Sequence, residues 1–356
     1  MPETNEPEQI PDPTPEQREA LKNLVRGIVL AQGNIFIKEL LRQKKDIKIG
    51  ATKADFERNM LAAIDEGKLR QSDVDAWLDE VEGWGNQYVY LYKVPVDLSK
   101  DPRLSDASAL EKMLNKAGLG HLWNKQTSFE FPDALQLTGI SFDGSSIRFV
   151  WHQGLSSWVK DESKDSLCPA REIDGDWYEF RAYRRRAERS VMRFELSSTL
   201  KLAAVFIEPP WGESEHQKLL EQVANAVAPL LRFDMLTKYP IASSIKKLDY
   251  AGMSGASLAK QVKTQDARLS HGATWVEFAT TSKVGDYKSD LTIKGIRAAA
   301  TSSLPLTGAR GTFYFQPQSP KGLQRLVKFQ LYGRNRRIRL LAQMTAPEVW
   351  QVLNLL

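Results

Sequence analysis

At about residue 87 the apolar pattern of this chain changes its period, and that change dictates most of what the chain can become. Over residues 16–84 apolar side chains recur at spacings of three and four, the signature of helices with one buried face. Leu21, Leu24, Val25 and Ile28 stripe a first helix over 16–31, Gly33 and Asn34 break it, and a second helix covers 35–44. Thr52, with Asp55 three residues later, reads as a capping box in which Asp replaces the usual Glu. The helix it opens carries Phe56, Met60, Leu61 and Ile64 and stops at Gly67. Ser72 and Asp75 repeat the cap ahead of Val74, Trp77, Leu78 and Val81, and Gly83 closes that helix. Trp84, between two glycines, reads as a rigid corner.

Beyond the change, the spacing predicts strands. "YVYLYKV" is aromatic and β-branched, "PVDLSKDPRLSD" is a linker, and "ASALEKMLNKAGLGHLW" is one more short helix. From Leu135 the chain is strand-rich, with Asp143-Gly144 marking a hairpin. "WYEFRAYRRRAERSVMRFEL" reads as a second hairpin with "RRRAER" at its tip, and "LKLAAVFIE" as a strand buried on both faces. Helix is expected again over 213–264, in one segment to about Phe233 and another around 254–264. Strands follow in "TWVEFATT", "DLTIKGI", "GTFYFQ", "RLVKFQLY" and "RIRLLAQM", and "APEVWQVLNLL" is a final helix.

The expected fold class is α+β: a small N-terminal helical bundle, then a larger, mostly antiparallel sheet domain with packed helices. The expected divisions are a disordered acidic leader over 1–15, the bundle over 16–86, and a connecting strand, linker and helix over 87–134. The sheet domain over 135–356 reads as one body or as two related halves, 135–232 and 233–356.

One cysteine, Cys168, excludes an internal disulfide framework and suits a reducing compartment, so an intracellular location, cytoplasmic or nucleoid/nuclear, is expected. No apolar run approaches the roughly 20 residues that span a bilayer, so no membrane partner is expected. The first 20 residues carry six acids and one base, so the rest of the chain is more basic than its net charge of +5 implies. A basic body favours an anionic partner.

Two hairpins hold most of that charge. In the first, Arg181, Arg185 and Arg193 occupy odd positions opposite an apolar face, and Arg184, Arg186 and Arg189 lie at the tip. In the second, Lys328 and Tyr332 alternate with the apolar Val327, Phe329 and Leu331, the turn carries Arg334 and Arg336, and Arg337 and Arg339 follow. Such faces suit a phosphate backbone, because each neutralised phosphate releases counterion and arginine binds phosphate in two-pronged fashion. Tyr183 and Tyr332 add rings on which unpaired bases stack.

Lys44, Lys45, Lys48 and Lys53 cluster between two helices, where a helix N-terminus offers N–H groups to a phosphate. Here residues 35–66, through "IKELLRQ", "IKIGATKADF" and the apolar spacing of the second helix, resemble a SAP-type helix–linker–helix module. The resemblance implies double-stranded DNA contact by Lys48, Lys53 and their neighbours.

Enzyme signals are sparse. His121, His152, His216 and His271 lack metal-ligand spacing, and no glycine-rich phosphate loop exists, so no cofactor is expected. The best catalytic candidate is Glu277 followed by the Asp286-x-Lys288 pair, whose order resembles that of restriction-type metal-dependent nucleases. The sequence therefore favours non-enzymatic binding of DNA or RNA within a larger complex. The alternatives are an adaptor subunit meeting acidic protein partners, and the nuclease.

Overall fold

The computed structural model describes residues 13–31, 34–44, 46–81, 84–124, 132–209, 211–212, 214–251, 262–271, 274–280, 291–295, 306–316 and 325–356. The protein is α+β, and two compact units divide it. The first takes the helices up to Leu78 together with 128–134 and 153–189; the second takes 79–127, 135–152 and 190–356.

In the first unit, α1 (Pro15–Ala31), α2 (Asn34–Gln43), α3 (Lys53–Asp65) and most of α4 (Gln71–Val81) follow the apolar stripes of the sequence. Leu24, Val25, Ile37, Leu41, Phe56, Met60 and Val74 are all buried. The Thr52–Asp55 capping box forms: Thr52 Oγ1 accepts from Asp55 N, and the Asp55 carboxylate accepts from Thr52 N. Lys22–Asp65 (2.6 Å) and Arg26–Glu57 (3.6 Å) tie α1 to α3. The second expected cap is corrected. Helix α4 begins one residue before Ser72, and the carboxylate that reaches back is Asp73, accepting from Arg70 N at 2.9 Å, while Asp75 is buried.

The second unit is built on one sheet. Its strands are β1 (Tyr88–Lys93), β2 (Gln136–Phe142), β3 (Ser146–Lys160), β6 (Tyr183–Ser197), β7 (Leu202–Ile207), β8 (Thr237–Lys238), β9 (Val262–His271), β10 (Thr274–Ala279), β11 (Thr307–Phe315), β12 (Val327–Tyr332) and β13 (Arg337–Leu340). They run in the order β10-β9-β11-β12-β13-β1-β7-β6-β3-β2, with β8 paired to β1. Strand β1 therefore joins the strands drawn from residues 136–207 to those drawn from residues 262–340. The short hairpin of β4 (Arg171–Ile173) and β5 (Asp176–Tyr178), together with residues 153–160 of β3 and 183–189 of β6, belongs to the first unit.

Both faces of the sheet carry a core. Leu202, Ala204 and Phe206 of β7 pack with Val89, Leu91, Phe329 and Ile338 beneath α8 (Ile241–Ala251) and α9 (Ala346–Leu355). Ala203, Val205 and Ile207 face the other way, with Phe149, Phe194, Leu110 and Leu114 beneath α6 (Ala107–Lys116) and α7 (His216–Val227). That split follows from the period of two in a strand, and β7 is buried at every position, as its apolar run implies.

Several local expectations change. "RRRAER" lies inside β6, a continuous strand, instead of at a hairpin tip. The stretch holds no Gly, Pro, Asn or Asp, so nothing in it favours a tight turn. Residues 262–264, expected as helix, open β9, and 291–295, expected as strand, are helical. The linker after β1 contains the short helix α5 (Val96–Ser99).

Candidate nucleic-acid interface

Three basic regions were expected, and their side chains meet different fates. In the helical unit, Lys48 and Lys53 are exposed, while Lys44 is half-buried and ion-paired with Asp73. The Lys48 carbonyl accepts from Asn59 Nδ2 at 2.9 Å, which fixes the loop ahead of α3. Lys45 lies outside the described residues.

In the segment 153–189, acids match bases, eight of each. Arg181 is bound by Asp165 (3.1 Å) and Glu179 (2.5 Å), and hydrogen bonding to Asp165 raises its pKa above the ordinary guanidinium value. The Asp165 carboxyl is held below its usual range, first by Ala182 N–H and then by Arg181. Arg185 donates to Ser156 Oγ at 3.2 Å, Arg184 is exposed, and Arg189 is half-buried. The Arg186 side chain lies outside the described residues. The same segment exposes Trp177 (74%), Leu167 (72%), Trp158 (69%) and Tyr183 (56%).

Arg193 requires correction. It was expected on a solvated strand face, yet it is buried, its guanidinium 3.4 Å from the centre of the Trp84 ring and 4.7 Å from that of Phe206. Strand β6 is covered on both faces here. Glu195, also buried, accepts from Trp350 Nε1 (2.9 Å) and Arg148 Nε (3.2 Å), with Arg193 Nε 3.9 Å away. This cluster of rings and charges is a core device, and Trp84 belongs to it.

The β12–β13 hairpin keeps the expected alternation: Val327, Phe329 and Leu331 are buried, and Lys328, Gln330 and Tyr332 half-buried. Lys328 Nζ lies 5.4 Å from the Tyr314 ring centre. Arg334 and Arg336 are exposed in the turn, and Arg336 takes a left-handed φ of 48°. Arg337 requires the second correction. It is buried, 4.7 Å from the Tyr332 ring centre and 5.0 Å from that of Tyr88. Arg339 lies 4.3 Å over Tyr88 and donates to Asn86 Oδ1 at 2.9 Å. Burial is the main cause that lowers its pKa from the ordinary guanidinium value, and it stays charged at neutral pH.

Register explains the arrangement. Tyr88 pairs with Arg339, Arg339 with Gln330, and Tyr332 with Arg337, so rings and guanidinium groups alternate across three strands. Tyr88 and the neighbouring Tyr90 went unnoticed in the sequence. The signal was there: in "YVYLY" the tyrosines occupy every second position and so share one face.

A cavity of about 230 Å³ opens beside this face, lined among others by Tyr90, His216, Lys238, Arg336 and Arg337. Tyr90 Oη and His216 Nδ1 are hydrogen-bonded at 2.9 Å, and Tyr88 meets the His216 ring edge-on at 5.0 Å.

For the nuclease pattern, Glu277 is ion-paired with Arg268 at 2.5 Å, and Asp286 and Lys288 lie outside the described residues. Among the described residues no group of His, Cys, Asp and Glu side chains is placed to hold a metal ion, and no helix is long and apolar enough to cross a membrane. The chain matches no protein-family model and no curated protein.

Proposed function

We propose that this protein is a non-enzymatic nucleic-acid-binding subunit that grips DNA or RNA through the arginine–tyrosine face of β12, β13 and β1. One observation carries the reading: Tyr88, Arg339, Arg337 and Tyr332 interleave across adjacent strands, next to the exposed turn arginines Arg334 and Arg336. Rings supply stacking surfaces for bases of any sequence, the guanidinium groups of Arg339, Arg334 and Arg336 supply phosphate contacts, and the buried Arg337 stiffens the face. The packing of Arg337 and Arg339 against rings restrains both side chains before a ligand arrives, which lowers the entropy cost of binding. Lys48 and Lys53, in the segment that resembles a SAP-type module, provide a further contact for duplex DNA in this reading. The single cysteine fits a protein working inside the cell.

The test is fluorescence polarisation with labelled double-stranded DNA, single-stranded DNA and RNA across a salt series. Affinity is expected to fall steeply with salt, and the exposed pair Arg334→Glu/Arg336→Glu to weaken it about tenfold or more. No binding to any of the three at low salt overturns the reading.

A second reading is a docking subunit with a protein partner. It rests on the large apolar side chains that segment 153–189 leaves exposed, Trp158, Leu167 and Trp177 above all. Where such groups join into one contiguous patch, they mark an interaction surface.

A further inference from the structure

The cavity beside the tyrosine–arginine face has a composition that a structural crevice does not need. Lys238 enters from β8, Arg336 and Arg337 from the hairpin, and His216 and Gln217 from the first turn of α7. Among the described residues that line it there are three formal cations and no acid. Gathering like charges around one small volume is unfavourable, and an anion in the middle removes the cost. The start of α7 adds the positive end of a twelve-residue helix. At about 230 Å³ the volume is room for roughly seven waters at ~30 Å³ each, which suits a small anionic group better than a large organic ligand.

The side of the cavity is also stiff. Tyr90 and His216 hold one another by their hydrogen bond, and Arg337 is lodged between the rings of Tyr88 and Tyr332. Donors in such a setting are fixed before the ligand arrives, so little ordering remains to be done on binding.

We propose that this cavity is a phosphate site that takes a phosphomonoester, the terminal phosphate of a nucleic-acid strand. The source of the phosphate rests on the nucleic-acid reading above; the chemistry of the site does not. A recess lined from four elements admits a chain end, whereas an internal diester must both enter and leave. Three cations also favour the dianionic monoester over a singly charged diester.

The experiment compares labelled oligonucleotides of one sequence with a 5′-phosphate, a 3′-phosphate or hydroxyl ends, using the full chain. Inorganic phosphate and a nucleoside monophosphate serve as separate probes in thermal-shift measurements. Lys238→Gln removes one cation. Gln217→Glu places an acid at the mouth; it gives up the exposed hydrogen bond from Gln217 Nε2 to Glu221 (3.0 Å), the first turn of α7 favours the new negative charge, and circular dichroism checks that the fold is kept. A phosphorylated end is expected to tighten binding about tenfold, and both variants to abolish that advantage while hydroxyl-ended strands bind as before. Equal affinity for phosphorylated and hydroxyl-ended strands, with no thermal shift from either small probe, overturns the proposal and leaves the nucleic-acid reading intact. A Lys238-dependent shift with nucleoside monophosphate, in a protein that binds no oligonucleotide, supports the site and overturns that reading instead. A shift of the same size with inorganic phosphate supports the site and names free phosphate as its source.

Discussion

The guanidinium of Arg193 lies 3.4 Å from the centre of the Trp84 ring, with both residues buried and Glu195 beside them. An arginine so placed is core material. Its planar group stacks on the indole, and its charge is offset by a carboxylate that Trp350 and Arg148 also hold. Arg193→Ala is expected to cost about 3 kcal/mol, because breaking a buried pair strands the remaining charge. Arg193→Lys is expected to destabilise as well, since an ammonium cannot stack as a plane. Urea unfolding measures both. A loss of nucleic-acid affinity in Arg193→Ala at unchanged urea midpoint would contradict this placement.

Arg336 separates stability from binding. Its left-handed φ of 48° costs a non-glycine residue roughly 1 kcal/mol. Arg336→Gly is therefore expected to raise stability by about that much, or to leave it unchanged, while weakening oligonucleotide binding and flattening its salt dependence by about one phosphate contact. Thermal unfolding and polarisation on the same sample read out both effects.

Gly85 is irreplaceable for two independent reasons. Its φ is +86°, and a Cβ there would collide with the Ala342 carbonyl oxygen across the bridge that Gly85 makes with Gln343. Gly85→Ala is expected to destabilise by about 2 kcal/mol or more, seen as a lower urea midpoint. A midpoint equal to that of the parent protein would show that the corner relaxes freely.

The cap of α3 makes the helical unit sensitive to acid. The Asp55 carboxyl is held below its ordinary value of 3.8, first by the Thr52 hydroxyl and then by the Thr52 and Ala51 N–H groups. A depressed folded-state pKa contributes stability that is complete above the unfolded value and lost as pH falls through the folded one. The helical signal of the wild type is therefore expected to weaken on acidification below about pH 4. Asp55→Asn should begin weaker and lose less over the same interval, which circular dichroism across a pH series checks.

The sequence by itself determined which parts of the chain are helix and which are strand wherever the apolar period was sustained. It also determined the cap at Thr52, the Asp143-Gly144 hairpin, the β12–β13 hairpin and the double burial of β7. These features rest on neighbours a few residues away, and local spacing encodes them. It could not show that Arg193 and Arg337 are buried. Alternation says only that a residue shares a face with others, and whether that face meets water depends on what is laid over it. Trp84 and Phe206, from strands and loops far apart in the chain, cover Arg193; Tyr88, brought beside β13 by the pairing of β1, covers Arg337. The same long-range pairing set Lys238, His216 and Arg336 around one cavity, and no window of sequence holds all three. Charge was legible in the chain; which charges face solvent was decided by the packing of distant elements.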